Sequence, residues 1–241
     1  MNRIKFAILN PQLALRWLFN RGSDLTNIEL SLLDAHLDPS GIIIEAGASD
    51  GVDTLRLAKA FPRHDIIAIE PIKEQFEVMR QTVAHFVNVR PENLALDTES
   101  GVVQMYVGSS GPGISGMGSS SLLEPEEHNS YFPEINFGNR QKVTAVKVEE
   151  YCRKNQISKI DLFWLDLQGY ELSIIMSSSE FFKKNVKLIH MEVSRVKLYK
   201  GMPTYDEVLS EMKSLGFVAI TKRVGRVSGN CLFKNGNLLN H

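Results

Sequence analysis

The apolar run Ile42-Ile43-Ile44 ends in Glu45, directly before a turn made of Gly47, Ala48, Ser49, Asp50 and Gly51. Carboxylates are rarely buried without a partner, so Glu45 at the mouth of such a run calls for a hydrogen-bond donor, from the protein or from a ligand. A strand, a tight glycine turn and a helix bring backbone N–H groups up to a bound molecule. Glu70 closes the next apolar run about twenty residues beyond the turn, where an acidic side chain reaches two ribose hydroxyls. Together these features point to a nucleoside, and two cofactors compete for the place. A dinucleotide needs its pyrophosphate at the helix N-terminus, yet the turn lacks G-x-G-x-x-G. Glu45, Asp50 and Asp53 surround it instead, and their charges repel a pyrophosphate. They suit a cofactor with an ammonium and a sulfonium, S-adenosylmethionine (SAM), with Glu45 toward its amino-acid end. A plainer role stands beside this one: Glu45 and Glu70 as helix caps, Gly47 and Gly51 shaping only the turn.

A second group lies downstream. Asp166 follows the buried-strand pattern "IDLFWL" and so leaves the sheet at its ligand edge. Glu192 ends the next strand, "VKLIHMEV", and should fall beside Asp166 across adjacent strands. Methyl transfer from a sulfonium is an in-line displacement, in which the acceptor atom is aligned and any proton it carries is removed. Asp166 and Glu192 are the candidate catalytic pair, either as base and orienter or as holders of a divalent metal that makes the acceptor more acidic. The residues leave both routes open. His190 reads as a satisfied core histidine. His36, His64, His85, His128 and His241 form no ligand-spaced group and read as surface residues. Tyr131, Phe132, Tyr199 and Tyr205 read either as a ring-binding wall or as ordinary packing.

These side chains need a scaffold, and the periodicity supplies one. "GIIIEAG", "HDIIAIEP", "VNVRPENLAL", "GVVQMYV", "KIDLFWLDLQG" and "VKLIHMEVS" are strand-like, with helical patterns such as "DTLRLAKAF", "IKEQFEVMRQTVAHF" and "YELSIIMSSSEFF" between them. Alternation of this kind gives an α/β fold, a mostly parallel sheet with helices on both faces. "FVAITKRV" and "GNCLFKN" close the chain as an antiparallel hairpin. Residues 108–139, rich in Gly, Ser and Pro, are too long for a plain connection. They form either a lid over the site or a passive insertion.

The bulk numbers fit one domain with an N-terminal attachment. The chain has 241 residues, 43% hydrophobic and 23% charged, with a net charge of −1. That balance gives no counterion-releasing surface, and no nucleic-acid partner is expected. Cys152 and Cys231 are far apart and read as free thiols, which suits a cytoplasmic location. Residues 1–40 read as an N-terminal helical segment packed on a domain spanning 41–241. Its basic, then apolar start resembles a signal peptide, but Pro11, Gln12 and Arg16 interrupt it and no small-residue cleavage site follows. No run reaches the roughly 20 apolar residues of a transmembrane helix, although loose association with a membrane surface stays open.

"EAGASDG", "IAIEP", "GSSSL", "DLFWLDLQGYE" and "IHMEVS", in that order, resemble the FkbM-type SAM-dependent methyltransferases. The resemblance spans about residues 41–220, and its most specific part is Asp166 to Glu171, similar to the family's D-x-E-G-x-E stretch. It implies a Rossmann-like methyltransferase fold and methylation of a hydroxyl on a sugar, glycan or small metabolite. On this basis Glu45, Gly47, Ala48, Asp50, Gly51, Glu70, Pro71 and Asp166 form the expected cofactor side. Ser120, Ser121, Gln168 and Glu171 form the expected acceptor side. Two residues depart from the pattern: Ser49 stands where many members carry Asn, and Gln168 replaces the usual Glu. A non-catalytic nucleoside-binding or scaffold protein of the same fold is the alternative, and an NAD-dependent oxidoreductase ranks below both.

Overall fold

The computed structural model describes residues 27–113 and 116–238. The chain runs α1 (Asn27–Asp34), β1 (Gly41–Ala46), α2 (Val52–Ala60), β2 (His64–Ile69), α3 (Lys73–Thr82), β3 (Val89–Glu92), β4 (Ala95–Leu96) and β5 (Gly101–Ser109). It continues through a 3-10 turn (Met117–Ser119), α4 (His128–Tyr131), β6 (Asn136–Val146), α5 (Val148–Lys154), β7 (Ile160–Leu165), α6 (Glu171–Ser177) and α7 (Ser179–Asn185). It ends with β8 (Val186–Ser194), α8 (Tyr205–Ser214), β9 (Phe217–Val224), β10 (Ser228–Asn235) and a second 3-10 turn (Gly236–Leu238). Of the expected N-terminal segment, residues 1–26 lie outside the described residues; α1 follows them, and Leu33 is buried in one cluster with Ile43 and Leu57. Among the described residues no helix is long and apolar enough to cross a membrane.

The main sheet has seven strands in the order β3-β2-β1-β7-β8-β10-β9. The first five are parallel, and β10 is antiparallel to both its neighbours. The strands are near-continuous apolar runs because both faces are covered, and all six residues of β7 are buried. Alternate side chains feed two cores. Ile44, Phe163 and Leu165 pack with Leu172, Ile175, Phe182 and Met212 on one side. Ile43, Leu162 and Trp164 pack with Leu57 and Ala58 on the other. The α/β expectation holds, and so does the closing hairpin, whose second strand lies inside the sheet against β8.

Strand order reverses at β1, which lies between β2 and β7. In such sheets ligands bind in the crevice outside the carboxyl ends of these strands.

The chain departs from the sequence pattern after β2. "VNVRPENLAL" is two strands, not one: β3 extends the main sheet, while β4 joins β6 and β5 in a separate three-stranded sheet. Asn93 makes the break, its side-chain amide donating to the carbonyls of Glu70 (2.8 Å) and Pro71 (3.1 Å). The segment 108–139 is gripped at both ends by the β5–β6 ladder, which pairs Ser109 with Asn136. Within it, Ser121 bridges back to Tyr106, and Pro125 to Tyr199. The N–H groups of Glu126 and His128 both donate to the Leu198 carbonyl, at 2.9 and 3.2 Å.

Candidate functional site

At the end of β1 the chain must turn hard against β7. Gly47 has φ 89°, and a Cβ there would run into the Asp166 carbonyl oxygen, so only glycine fits. Ser49 follows with φ 50°, a conformation uncommon for a residue with a side chain. Its N–H donates to Glu70 Oε2 at 2.9 Å, and Gln75 Nε2 donates to its hydroxyl at 2.7 Å. The other oxygen of Glu70 accepts from the Ile72 N–H at 2.8 Å. Glu70 therefore clamps the turn after β1 to the turn after β2, and each of its oxygens keeps a second lone pair. Burial pushes its pKa up to about 8, against the pull of the two backbone donors.

The glycine turn supplies shape rather than donors. Gly47 and Ala48 both donate to the Ile69 carbonyl at 3.0 Å, and Gly51 donates to the Ala48 carbonyl at 2.8 Å. Asp50 accepts from the Val52 N–H at 3.2 Å, at the start of α2. Glu45 is 2% exposed, and its Oε2 has no hydrogen-bond partner among the described residues. Burial raises its pKa well above the ordinary range, with the Thr54 hydroxyl pulling the other way and neighbouring Asp53 and Asp166 reinforcing the rise.

A cleft of about 520 Å³, its solvent-filled mouth included, opens at the switch point. Gly47, Ser49, Glu70, Pro71 and Asp166 form its sheet side, and Met105, Met117 and Leu122 an apolar side. Gly118 and Ser120 of the 108–139 segment also face it. Among the described residues its lining contains carboxylates and no Lys or Arg. Tyr170 completes the wall and donates its hydroxyl to Asp97 Oδ1 at 2.8 Å.

At the end of β7 a second group converges. Asp166, Glu171 and Glu192 each bring an oxygen within 4.8 Å of the others. β7 and β8 pair Leu165 with Met191, and this register delivers Asp166 and Glu192 side by side. Gln168 Nε2 joins them, donating to Asp166 Oδ1 (2.7 Å) and Glu192 Oε2 (3.0 Å). Gln168 has φ 53°, so two of the three described non-glycine residues with positive φ, Ser49 and Gln168, lie at the ends of β1 and β7. Sparsely populated backbone conformations of this kind collect at functional sites. Glu171 is 3% exposed and accepts from the N–H groups of Leu167 (2.7 Å) and Gly169 (3.3 Å). Burial pushes its pKa up to about 7.

The remaining expected acceptor-side residues are placed differently from one another. Ser120 faces the cleft, although its hydroxyl accepts from the Gly108 N–H at 3.0 Å. Ser121 is fully enclosed; it donates to the Gln168 carbonyl at 2.9 Å and accepts from the Leu123 N–H at 3.1 Å. It meets the site only through the backbone of Gln168.

Tyr199 reaches Gln168 Oε1 at 3.2 Å and donates to the Ser119 carbonyl at 2.6 Å. Tyr205 lies instead under the Arg195 guanidinium, 4.9 Å away, and Tyr131 is exposed. Sequence reasoning missed Gln75, Tyr170 and Asp97, which reach the site from α3, the β7–α6 turn and the β4–β5 connection.

The histidines need two corrections. His64 and His128 are buried, not on the surface. His128 sits among Phe132, Phe137 and Tyr199, with ring centroids 5.0, 4.9 and 5.3 Å away, and burial lowers its pKa. His190 is in the core, stacked on Trp164 at 3.6 Å, but it is not satisfied: neither ring nitrogen has a partner among the described residues. Burial holds it neutral, its pKa lowered to about 3. His241 lies outside the described residues.

The reversed strand order, the clamped glycine turn and the cleft between them are those of a SAM-dependent methyltransferase fold. The chain belongs to the methyltransferase FkbM family, whose domain matches residues 45–219. It is 26% identical over 202 residues to the 2-O-methyltransferase NoeI of Sinorhizobium fredii (strain NBRC 101917 / NGR234), covering 83% of this chain and 82% of that protein. It is also 26% identical over 171 residues to the methyltransferase sdnD of Sordaria araneosa, covering 61% and 63%. Among solved structures, the methyltransferase FkbM from Methylobacillus flagellatus KT superimposes with a TM-score of 0.50 at 11% identity, covering 81% of this chain and 44% of that one.

Proposed function

We propose that the protein is a SAM-dependent O-methyltransferase acting on a hydroxyl of a sugar, glycan or small metabolite. The make-up of the switch-point cleft, carboxyl groups and no cationic side chain among the described residues, carries this reading. Among the described residues its lining has Glu70 and Asp166 but no Lys or Arg, and the N–H groups of Gly47, Ala48, Ser49 and Gly51 are already committed within the protein. A pyrophosphate finds neither a cation nor these turn N–H groups there, whereas a cationic nucleoside finds carboxyl oxygens. The remaining lone pairs of Glu70 suit ribose hydroxyls. The buried Oε2 of Glu45, without a hydrogen-bond partner among the described residues, suits an ammonium at the amino-acid end. SAM, when bound, supplies a methyl group activated by a sulfonium.

The protein's own work is to hold the acceptor hydroxyl and take its proton, and Asp166 with Glu192 is the pair for that task. Ser120 and Gln168 stand on the acceptor side, and 108–139 acts as a lid through Met117, Gly118, Ser120 and Leu122. The name of the rhizobial relative, a 2-O-methyltransferase, supports oxygen as the receiving atom. Isothermal titration calorimetry with SAM, S-adenosylhomocysteine and NAD tests the cofactor. The first two should bind and NAD weakly at best. Tighter binding of NAD would overturn the proposal.

A further inference from the structure

We infer that the side-chain amide of Gln168 takes the place of a divalent cation among Asp166, Glu171 and Glu192, so that the site works through a carboxylate base without a metal. The inference rests on the proposed role of Asp166 and Glu192 as the proton-accepting pair. Carboxylate oxygens within 4.8 Å of one another resemble the donor set of Mg²⁺ or Mn²⁺. Two features of this chain do not fit such an ion. Glu171 Oε1 is already the acceptor for the Leu167 and Gly169 N–H groups, which ties the side chain to its own turn and leaves only Oε2 for an ion. Gln168 Nε2 lies between the other two carboxylates, 2.7 Å from Asp166 and 3.0 Å from Glu192.

An amide nitrogen carries two hydrogens, and here each serves one carboxylate. The Tyr199 hydroxyl lies 3.2 Å from Gln168 Oε1 but gives its one proton to the Ser119 carbonyl at 2.6 Å, so the two carboxylates set the amide's orientation. The Ser121 hydroxyl holds the Gln168 backbone carbonyl. Turned over, the amide would set its carbonyl oxygen against two carboxylates, unless a cation lay between them.

The chemical consequence follows from charge. A bound cation would draw electron density from both carboxylates and weaken them as bases, acting instead on the hydroxyl. A neutral amide keeps Asp166 and Glu192 together, against their mutual repulsion, and leaves them basic. The acceptor O–H bond breaks toward one of these carboxylates, which takes the proton. The new oxygen–carbon bond forms as the carbon–sulfur bond opens, the sulfur keeping the electron pair. Gln168 is a positioning residue in this scheme.

Mn²⁺ titration of the full chain, read by electron paramagnetic resonance of the free ion, tests the inference independently of turnover. The native protein should leave the Mn²⁺ signal undiminished, and EDTA should leave its methyl transfer unchanged. Gln168→Glu should bind one Mn²⁺ per chain, lose that binding when combined with Asp166→Asn, and need added metal for turnover. Mn²⁺ bound by the native protein and released by Asp166→Asn would overturn the inference, because the amide would then have turned its carbonyl to the ion. A folded Gln168→Glu that binds no Mn²⁺ would overturn it as well. Should Gln168→Glu fail to fold, the native protein against Asp166→Asn still decides. Metal-free native protein without methyl transfer would count against the catalytic pair, not against the amide's place between the carboxylates.

Discussion

Replacing Glu70 by glutamine removes a titratable group while keeping its size and one of its two acceptors. In the native protein burial lifts the Glu70 pKa from an ordinary 4.5 to about 8. A carboxyl that holds its proton more tightly when folded contributes stability fully below its unfolded pKa and loses it as pH rises through the folded value. Each pH unit inside that window is worth roughly 1–1.5 kcal/mol. Between pH 6 and 8 the native protein should therefore lose about 2 kcal/mol that the glutamine variant keeps. Glutamine also brings a constant penalty of about 1–3 kcal/mol, because its NH₂ faces one of the two backbone donors of Ser49 and Ile72. Glu45 and Glu171 shift in the same direction as Glu70, while His128 and His190 shift in the opposite one. All of these are shared by the two proteins, so the difference between their stability curves isolates Glu70. Urea unfolding of both at pH 6, 7 and 8, followed by tryptophan fluorescence, measures it. The native protein should lead by about 1–3 kcal/mol at pH 6, and about 2 kcal/mol of that should be gone by pH 8, erasing or reversing a small lead. A gap that is constant or widens with pH would mean that Glu70 is ionised throughout, its two backbone donors outweighing burial.

Asp166→Asn and Glu192→Gln should each lower kcat by about 10²–10⁴ with a smaller change in SAM affinity, and less than additively together. Melting temperatures measured beside kcat exclude simple unfolding, and folded variants with near-normal turnover would end the catalytic assignment. Gly47→Ala should destabilise the fold by roughly 2 kcal/mol or more, seen in thermal melts, because a side chain is disfavoured at φ 89° and meets the Asp166 carbonyl. Amide exchange in the described parts of 108–139 should slow when SAM and acceptor are both bound. Equally fast exchange with and without ligands would make the segment a passive insertion.

Much of the main sheet was legible because buried parallel strands are continuous apolar runs. Glu45, Gly47, Glu70, Asp166 and Glu192 could be placed at strand ends by counting along those runs. The small sheet was not legible. β4 is two residues long, and its separation from β3 depends on Asn93 reaching the carbonyls of Glu70 and Pro71. His128 looked like a surface residue in a polar, glycine-rich stretch, and only the fold closes Phe132, Phe137 and Tyr199 around it. The commitment of the turn's N–H groups to Ile69, Ala48 and Glu70 is likewise a property of the assembled β1–β2 corner. Gln168 was visible as a departure from the family pattern. Its bridge between Asp166 and Glu192 needed the β7–β8 register.

Transfer of a labelled methyl group from SAM tests the central claim most directly. Native protein and Asp166→Asn, matched for melting temperature, are incubated with isotopically labelled SAM and a panel of sugars, glycans and hydroxylated metabolites, and the products are read by mass spectrometry. The native protein should place the label on an acceptor oxygen, and Asp166→Asn should lose nearly all of that product. Native protein that binds SAM yet labels no hydroxyl in the panel, or an Asp166→Asn variant that labels it as fast, would contradict the account.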